Sequence, residues 1–262
     1  MDIKKLLGKT DDMPLDNLIE GGGFVPIFRT IACIGDSLAS GELQLKKADG
    51  TNAYFDFYEY SWGKNIERQT GSKVHVFARG GMTARAYRTE FANKMGYYKK
   101  ELAANAYIIA LGVNDLLNQD TEIGSVADIC KENPKENADT YIGNYAYIIQ
   151  RYKAIQPEAK FFLVTIPRST DRGEARMART RAQRDAIYAL SEYFDNCYVI
   201  DLFEQAPDFD AEFREAFFLN GHMSPAGYLL IARMFVTYMD YIIRHAHADF
   251  KDVGLMGVDT DI

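Results

Sequence analysis

The chain has 262 residues, 47% of them hydrophobic and 26% charged, a composition that gives room for one large core and excludes disordered and fibrous classes. Its 30 Lys and Arg stand against 37 Asp and Glu, a formal net charge of −7, so no general positive field gathers nucleic acid or anionic lipid. Three cysteines, Cys33, Cys130 and Cys197, match neither a disulfide framework nor a metal-ligand spacing, and suit a reducing, cytoplasmic setting.

Residues 1–27 carry two early lysines but no apolar stretch of signal-peptide length, and read as an extension ahead of a core over about 28–243. Within that core, short apolar runs recur at 31–34, 74–78, 106–111, 161–166 and 198–200. They are strand-length and lack clean polar alternation, as expected of strands covered on both faces. Helical spacing separates them: Tyr141, Tyr145, Ile148 and Tyr152 share one face, and Ile187, Leu190 and Phe194 share another. Ser224 before Pro225 is a helix start, and the apolar stretch 228–243, broken by Arg233 and Asp240, reads as a buried helix rather than a membrane span. Strand and helix in alternation predict an α/β domain with a mainly parallel five-stranded sheet. The reading is one domain over 1–262, with 244–262 as a polar tail.

Two stretches, 41–52 and 118–137, lack periodicity and read as surface loops over one rim, the second long enough for a role at the site. The aromatic run YFDFYEYSW at 54–62 reads as core packing, with a wall able to stack on a sugar ring as the lesser reading. Between Arg168 and Arg184 lie six Arg and two acids. This run reads as a solvated, ion-paired helix start in preference to an anion-binding lip.

Ligands of an open parallel sheet collect beyond the carboxyl ends of its strands, which directs attention to the residues just after each apolar run. The first runs into Gly35-Asp36-Ser37-Leu38, the second into Arg79-Gly80-Gly81, the third into Gly112-Val113-Asn114-Asp115, and His222 lies beyond the fifth. A serine hydroxyl needs a base to take its proton, and a neutral imidazole suits that task near pH 7. The negative oxygen of a tetrahedral intermediate needs donors already in place, which the backbone amides of Ser37 and Gly81 and the side chain of Asn114 can supply. Ser37 and His222 are therefore the candidate catalytic pair, and Ser37, Gly81 and Asn114 the candidate oxyanion hole. Asp115 reads as structural, His75 as a core histidine, and His245 and His247 as part of the tail.

GDSL at 35–38, the glycine after the second strand, GVND at 112–115 and GHMSPAGY at 221–228 together resemble the SGNH family of GDSL-type esterases and lipases. That resemblance implies a three-layer flavodoxin-like α/β/α fold and ester hydrolysis with no cofactor and no metal. It makes Ser37 the nucleophile, His222 the base, and Gly81 and Asn114 partners in the oxyanion hole. One position departs from the pattern: three residues before the histidine, where the family places an Asp, stands Leu219. The expected substitutes are a backbone carbonyl near Leu219 or Asn220, or a carboxylate of Asp210, Glu212, Glu215 or Glu42. The predicted activity is hydrolysis of short-acyl esters, acetyl foremost, of a carbohydrate or similar metabolite, with no nucleic acid or membrane partner. The alternatives are a catalytically weak or silent ligand-binding protein, or an acyltransferase or thioesterase using the same site.

Overall fold

A computed structural model describes residue 7 and residues 12–258. Five parallel strands form its central sheet: β1 (Thr30–Gly35), β4 (Lys73–Ala78), β5 (Ala106–Ala110), β6 (Lys160–Val164) and β7 (Cys197–Ile200), in the order β4-β1-β5-β6-β7. These are the five predicted apolar runs. The register sets Gly35 beside both Ala78 and Ala110, so the chain leaves β1, β4 and β5 at one level. The segments that leave these strands therefore meet at a single edge.

Alternate residues of β1 point to opposite faces, which is why its sequence is apolar throughout. Ile31 and Cys33 join a core with Trp62 and Ile66 of α2 (Trp62–Thr70) and Phe235 of α6 (Pro225–His245). Ala32 and Ile34 join the opposite core with Tyr141 and Tyr145 of α3 (Tyr141–Lys153) and with Ile187 and Leu190 of α4 (Glu174–Tyr193). Helix, sheet and helix make the three-layer α/β architecture expected. Ser224 caps α6 by accepting from Gly227 N–H, and Pro225 opens its first turn. This helix is long and apolar enough to cross a membrane but is mostly buried inside the protein. Its charged interruption has a structural cause: Asp240 accepts from Phe24 N–H at 2.8 Å and from Arg244 Nε at 2.8 Å.

Both ends of the described chain pack on that core. Val25 and Phe28 are fully buried, and Phe250 and Val253 nearly so, which ties the predicted polar tail to the sheet through apolar side chains.

The stretch 41–52 is where the structure departs most from expectation. It forms most of an antiparallel hairpin, β2 (Glu42–Lys46) and β3 (Asn52–Asp56), turned through Gly50 at φ 81°. The neighbouring aromatic run is not core: Tyr54, Phe55, Phe57, Tyr58 and Tyr60 are each more than 40% exposed, and Trp62 is its one buried aromatic. A two-stranded hairpin standing off the sheet has no second layer to cover its outer face. The stretch 118–137, in contrast, is pinned down, because Asn137 is buried and bonded to Cys130 N–H, Gly143 O and Gln150 Oε1.

Candidate active site

Ser37 begins a one-turn helix, α1 (Ser37–Ser40), directly after β1, and Asp36 caps it by accepting from Leu38 N–H at 3.0 Å. A first-turn N–H has no acceptor inside its own helix, so that of Ser37 is available to a ligand. Beyond β4, Gly81 sits at φ +70° with open space where a side chain would be. Glycine is needed there for the backbone angle, not for clearance. Asn114 leaves β5 on a single wide turn, Val113–Asn118. His222 is carried by a short antiparallel pair, β8 (Phe218–Leu219) and β9 (His222–Met223).

All four predicted residues, Ser37, Gly81, Asn114 and His222, line one cleft of about 550 Å³. Asn114 is held at both ends of its amide: Nδ2 donates to Met82 O at 3.1 Å and to Asp36 Oδ2 at 3.3 Å, while Oδ1 accepts from Asn118 Nδ2 at 2.8 Å. An oxyanion would have to take over one of those two Nδ2 hydrogens. Asp115 is fully buried and, as its structural reading implies, accepts from Ala84 N–H, fixing the loop after β4. Burial pushes the pKa of Asp36 and of Asp115 up to about 7.

With Leu219 in place of an acid, the groups that meet the His222 imidazole come from elsewhere in the chain. Leu219 is 39% exposed, and no carboxylate approaches the imidazole from that segment. Asp210 caps α5 (Ala211–Phe217) through Phe213 N–H, and Glu212 and Glu215 are exposed on that helix. Two residues of the hairpin face the ring instead. Glu42 Oε1 lies 2.9 Å from Nε2, and Gln44 Oε1 lies 3.3 Å from Nδ1. Because Gln44 Oε1 already accepts from Gly221 N–H at 2.8 Å, its contact with Nδ1 requires the ring to carry the hydrogen there. A hydrogen bond between Nε2 and Glu42 then needs one further proton, on the ring or on the carboxyl. Burial lowers the pKa of His222 and raises that of Glu42, where the charge of Asp56 adds to the rise, so both shifts favour the neutral forms. Among the described residues no hydrogen bond joins Ser37 to the ring; both ring nitrogens are turned to β2.

Gln44 and Tyr54 are the site residues that motif reading missed or placed elsewhere, while Asn118 opens the 118–137 stretch expected to reach the site. Tyr54 meets the imidazole edge-on, with ring centroids 5.8 Å apart. The signal for the hairpin lay in the sequence: Glu42-Leu43-Gln44-Leu45 alternates with period two, and Asp49-Gly50 is a turn dipeptide between it and a second strand rich in aromatic residues. Period two puts Glu42 and Gln44 on one face.

A small apolar recess of about 60 Å³ adjoins the cleft, bounded by Leu38, Ala110, Val113, Ile166, Phe209 and Met223. It holds a few water-sized groups at most.

The family model for GDSL-like lipases and acylhydrolases matches residues 33–230. The chain belongs to that family. It is accordingly a serine hydrolase acting on ester bonds. No curated protein matches it. Among solved structures, a family 2 carbohydrate esterase from Corynascus thermopiles (Myceliophthora fergusii) with a carbohydrate-binding domain is 19% identical at a TM-score of 0.56, covering 83% of this chain and 66% of that one. A family 2 carbohydrate esterase from Clostridium thermocellum in complex with cellohexaose is 14% identical at 0.56, covering 84% and 65%. The esterase EstA of Pseudoalteromonas sp., inhibited by monoethylphosphonate, is 16% identical at 0.53, covering 82% and 98%. At these identities the likeness is one of fold.

Proposed function

We propose that this esterase removes short acyl groups, acetyl foremost, from a carbohydrate or a similarly polar alcohol, with Ser37 as nucleophile, His222 as base and Glu42 as the acid that orients and charge-balances the imidazole. The observation that carries the reading is the convergence of Ser37, Gly81, Asn114 and His222 on one cleft at the carboxyl edge of the sheet. In the reaction, Ser37 Oγ gives its proton to the imidazole and bonds to the ester carbon. The resulting oxyanion is held by Ser37 N–H, Gly81 N–H and Asn114 Nδ2, and the leaving alkoxide takes the proton back from the ring. Water then repeats the sequence on the acyl-enzyme. To serve Ser37, the ring turns one nitrogen from β2 toward the hydroxyl while the hairpin keeps the other.

The 60 Å³ recess supports a short acyl group, since it can hold an acetyl methyl but not an octanoyl chain. The polar lining of the larger cleft and the exposed Tyr54 beside His222 support a sugar as the alcohol, as do the carbohydrate esterases among the neighbouring folds.

A second reading, a weak or silent ligand-binding protein, draws on the engagement of both ring nitrogens by Glu42 and Gln44. Labelling with a fluorophosphonate separates the two. The esterase reading expects stoichiometric labelling of the wild type and none of Ser37→Ala, with hydrolysis of 4-nitrophenyl acetate lost in parallel. A correctly folded wild type that neither labels nor turns over leaves the binding protein.

A further inference from the structure

The arginine-rich stretch divides once its partners are known. Arg168 meets Glu204 at 3.7 Å, Arg179 meets Asp120 at 2.6 Å, and Arg184 meets Asp201 at 2.8 Å, as a solvated and ion-paired segment should. Arg172 and Arg176 behave otherwise. Both line the catalytic cleft, together with Arg214 and Ser169, and among the described residues neither has a carboxylate within 4 Å. Of the carboxylates nearby, Asp171 is ion-paired with Arg214, Asp208 accepts from Thr170 N–H, and Glu174 forms no ion pair among the described residues. Arg172 and Arg176 are therefore the two arginines of this cleft without an ion pair among the described residues. Arg176 is half-buried, and its pKa is lowered by burial first and then by the repulsion of Arg172 and Arg214. On a protein of net charge −7, packing three cations together beside a cavity costs stability unless an anion relieves it.

From the two unpartnered guanidiniums of Arg172 and Arg176 on the wall of the Ser37 cleft, we infer that the ester substrate carries an anionic group, a carboxylate, phosphate or sulfate, on its alcohol portion. The inference rests on the esterase reading above. A short acyl group seated in a 60 Å³ recess has no room for a charge, so the anion belongs to the alcohol that spans the rest of the cleft. The planar forked donors of arginine suit oxyanions of this kind. Arg172 is exposed and Arg176 half-buried, and both line the same cleft as Ser37.

The test compares monoacetylated methyl glycosides that differ only at the sixth carbon: a neutral galactoside, its uronic acid, and its 6-phosphate. The readout is the ratio of kcat/KM for each charged ester over the neutral one. The wild type is expected to favour at least one charged ester by about tenfold or more, mainly through KM, with the preference shrinking as salt rises. In the R172Q/R176Q double variant the ratio falls toward one, whereas in R181Q, which changes an exposed arginine on the same helix, it stays at the wild-type value. The uronate and phosphate arms tell which anion the wall fits. A wild-type ratio near one for both, or a ratio untouched in R172Q/R176Q, overturns the inference. Binding of the same three glycosides to Ser37→Ala by calorimetry keeps the test independent of turnover. Tighter binding of a charged glycoside that R172Q/R176Q removes upholds the arginine wall even if the protein proves silent, and equal binding of all three rejects it even if the protein proves an active esterase.

Discussion

The cleft has two sides built on different principles. Ser37, Gly81 and Asn114 stand at the ends of β1, β4 and β5, whose register is fixed by parallel pairing and by cores on both faces. Glu42, Gln44 and Tyr54, by contrast, stand on a hairpin whose far strand is mostly exposed and whose aromatic residues face solvent. The hairpin is anchored at its base: Tyr228 donates to Glu42 O at 2.6 Å, and Asn220 Nδ2 donates to Gln44 O at 2.8 Å. Glu42 also packs against Gly80, leaving no space for a side chain there. The Ser37 side is thus a product of the sheet, while the Glu42 side is brought to it by a few specific hydrogen bonds. Precision of a catalytic group depends on the contacts that lock it, and the two sides are locked by different means.

Replacing Glu42 puts that difference under the greatest stress. Glu42→Gln keeps the shape and removes the charge, and on the proposed mechanism kcat falls by about 10³- to 10⁴-fold, as when a triad carboxylate is neutralised. The pH–rate profile should change with it, because Glu42, whose pKa burial raises, no longer exchanges a proton with the ring. A loss under tenfold with an unmoved profile would remove the hairpin from the mechanism.

On the sheet side the expected loss is smaller. Asn114→Ala should lower kcat by about 10²- to 10³-fold with KM nearly constant, since the oxyanion exists only in the transition state. A change confined to KM would show Asn114 to be a ground-state contact and leave the oxyanion to the backbone amides.

Acyl length probes the recess between the two sides. Rates on 4-nitrophenyl esters should drop by about tenfold or more from acetyl to octanoyl, because a recess of 60 Å³ cannot bury the added CH₂ groups, each normally worth about 0.8 kcal/mol when buried. Equal or rising rates would mean that the hairpin opens to expose an apolar groove.

The last effect is on stability and belongs to the sheet side. Asp115 has its pKa pushed to about 7 by burial. Between the unfolded value near 4 and about 7, the unfolded chain has lost this proton while the folded protein keeps it. The stability this group allows is therefore complete below about pH 4, declines as pH rises, and levels off above about pH 7. Asp115→Asn removes that dependence, so the melting temperature of the variant relative to wild type should be higher at pH 8 than at pH 4. A difference independent of pH would mean that Asp115 is ionised in the folded protein.

The sequence by itself determined the layers, the five strands and the placing of Ser37, Gly81, Asn114 and His222 at one edge. Both-face burial writes continuous apolar runs, and a parallel sheet delivers the residues beyond those runs to the same rim, so local pattern and site coincide. Leu219 was legible as a departure from the family pattern, and Glu42 as one of several acids able to compensate for it. Only the tertiary structure shows that Glu42 is the one beside His222, because it reaches the ring from 180 positions away in the chain, and strand alternation does not say where a hairpin packs. The arginines divide for the same reason. Spacing along α4 and the loop before it cannot say which guanidiniums meet carboxylates from Glu204, Asp120 and Asp201, and which are left facing the cleft. Backbone periodicity is a local property, whereas the pairing of charges depends on what the finished fold brings within 4 Å.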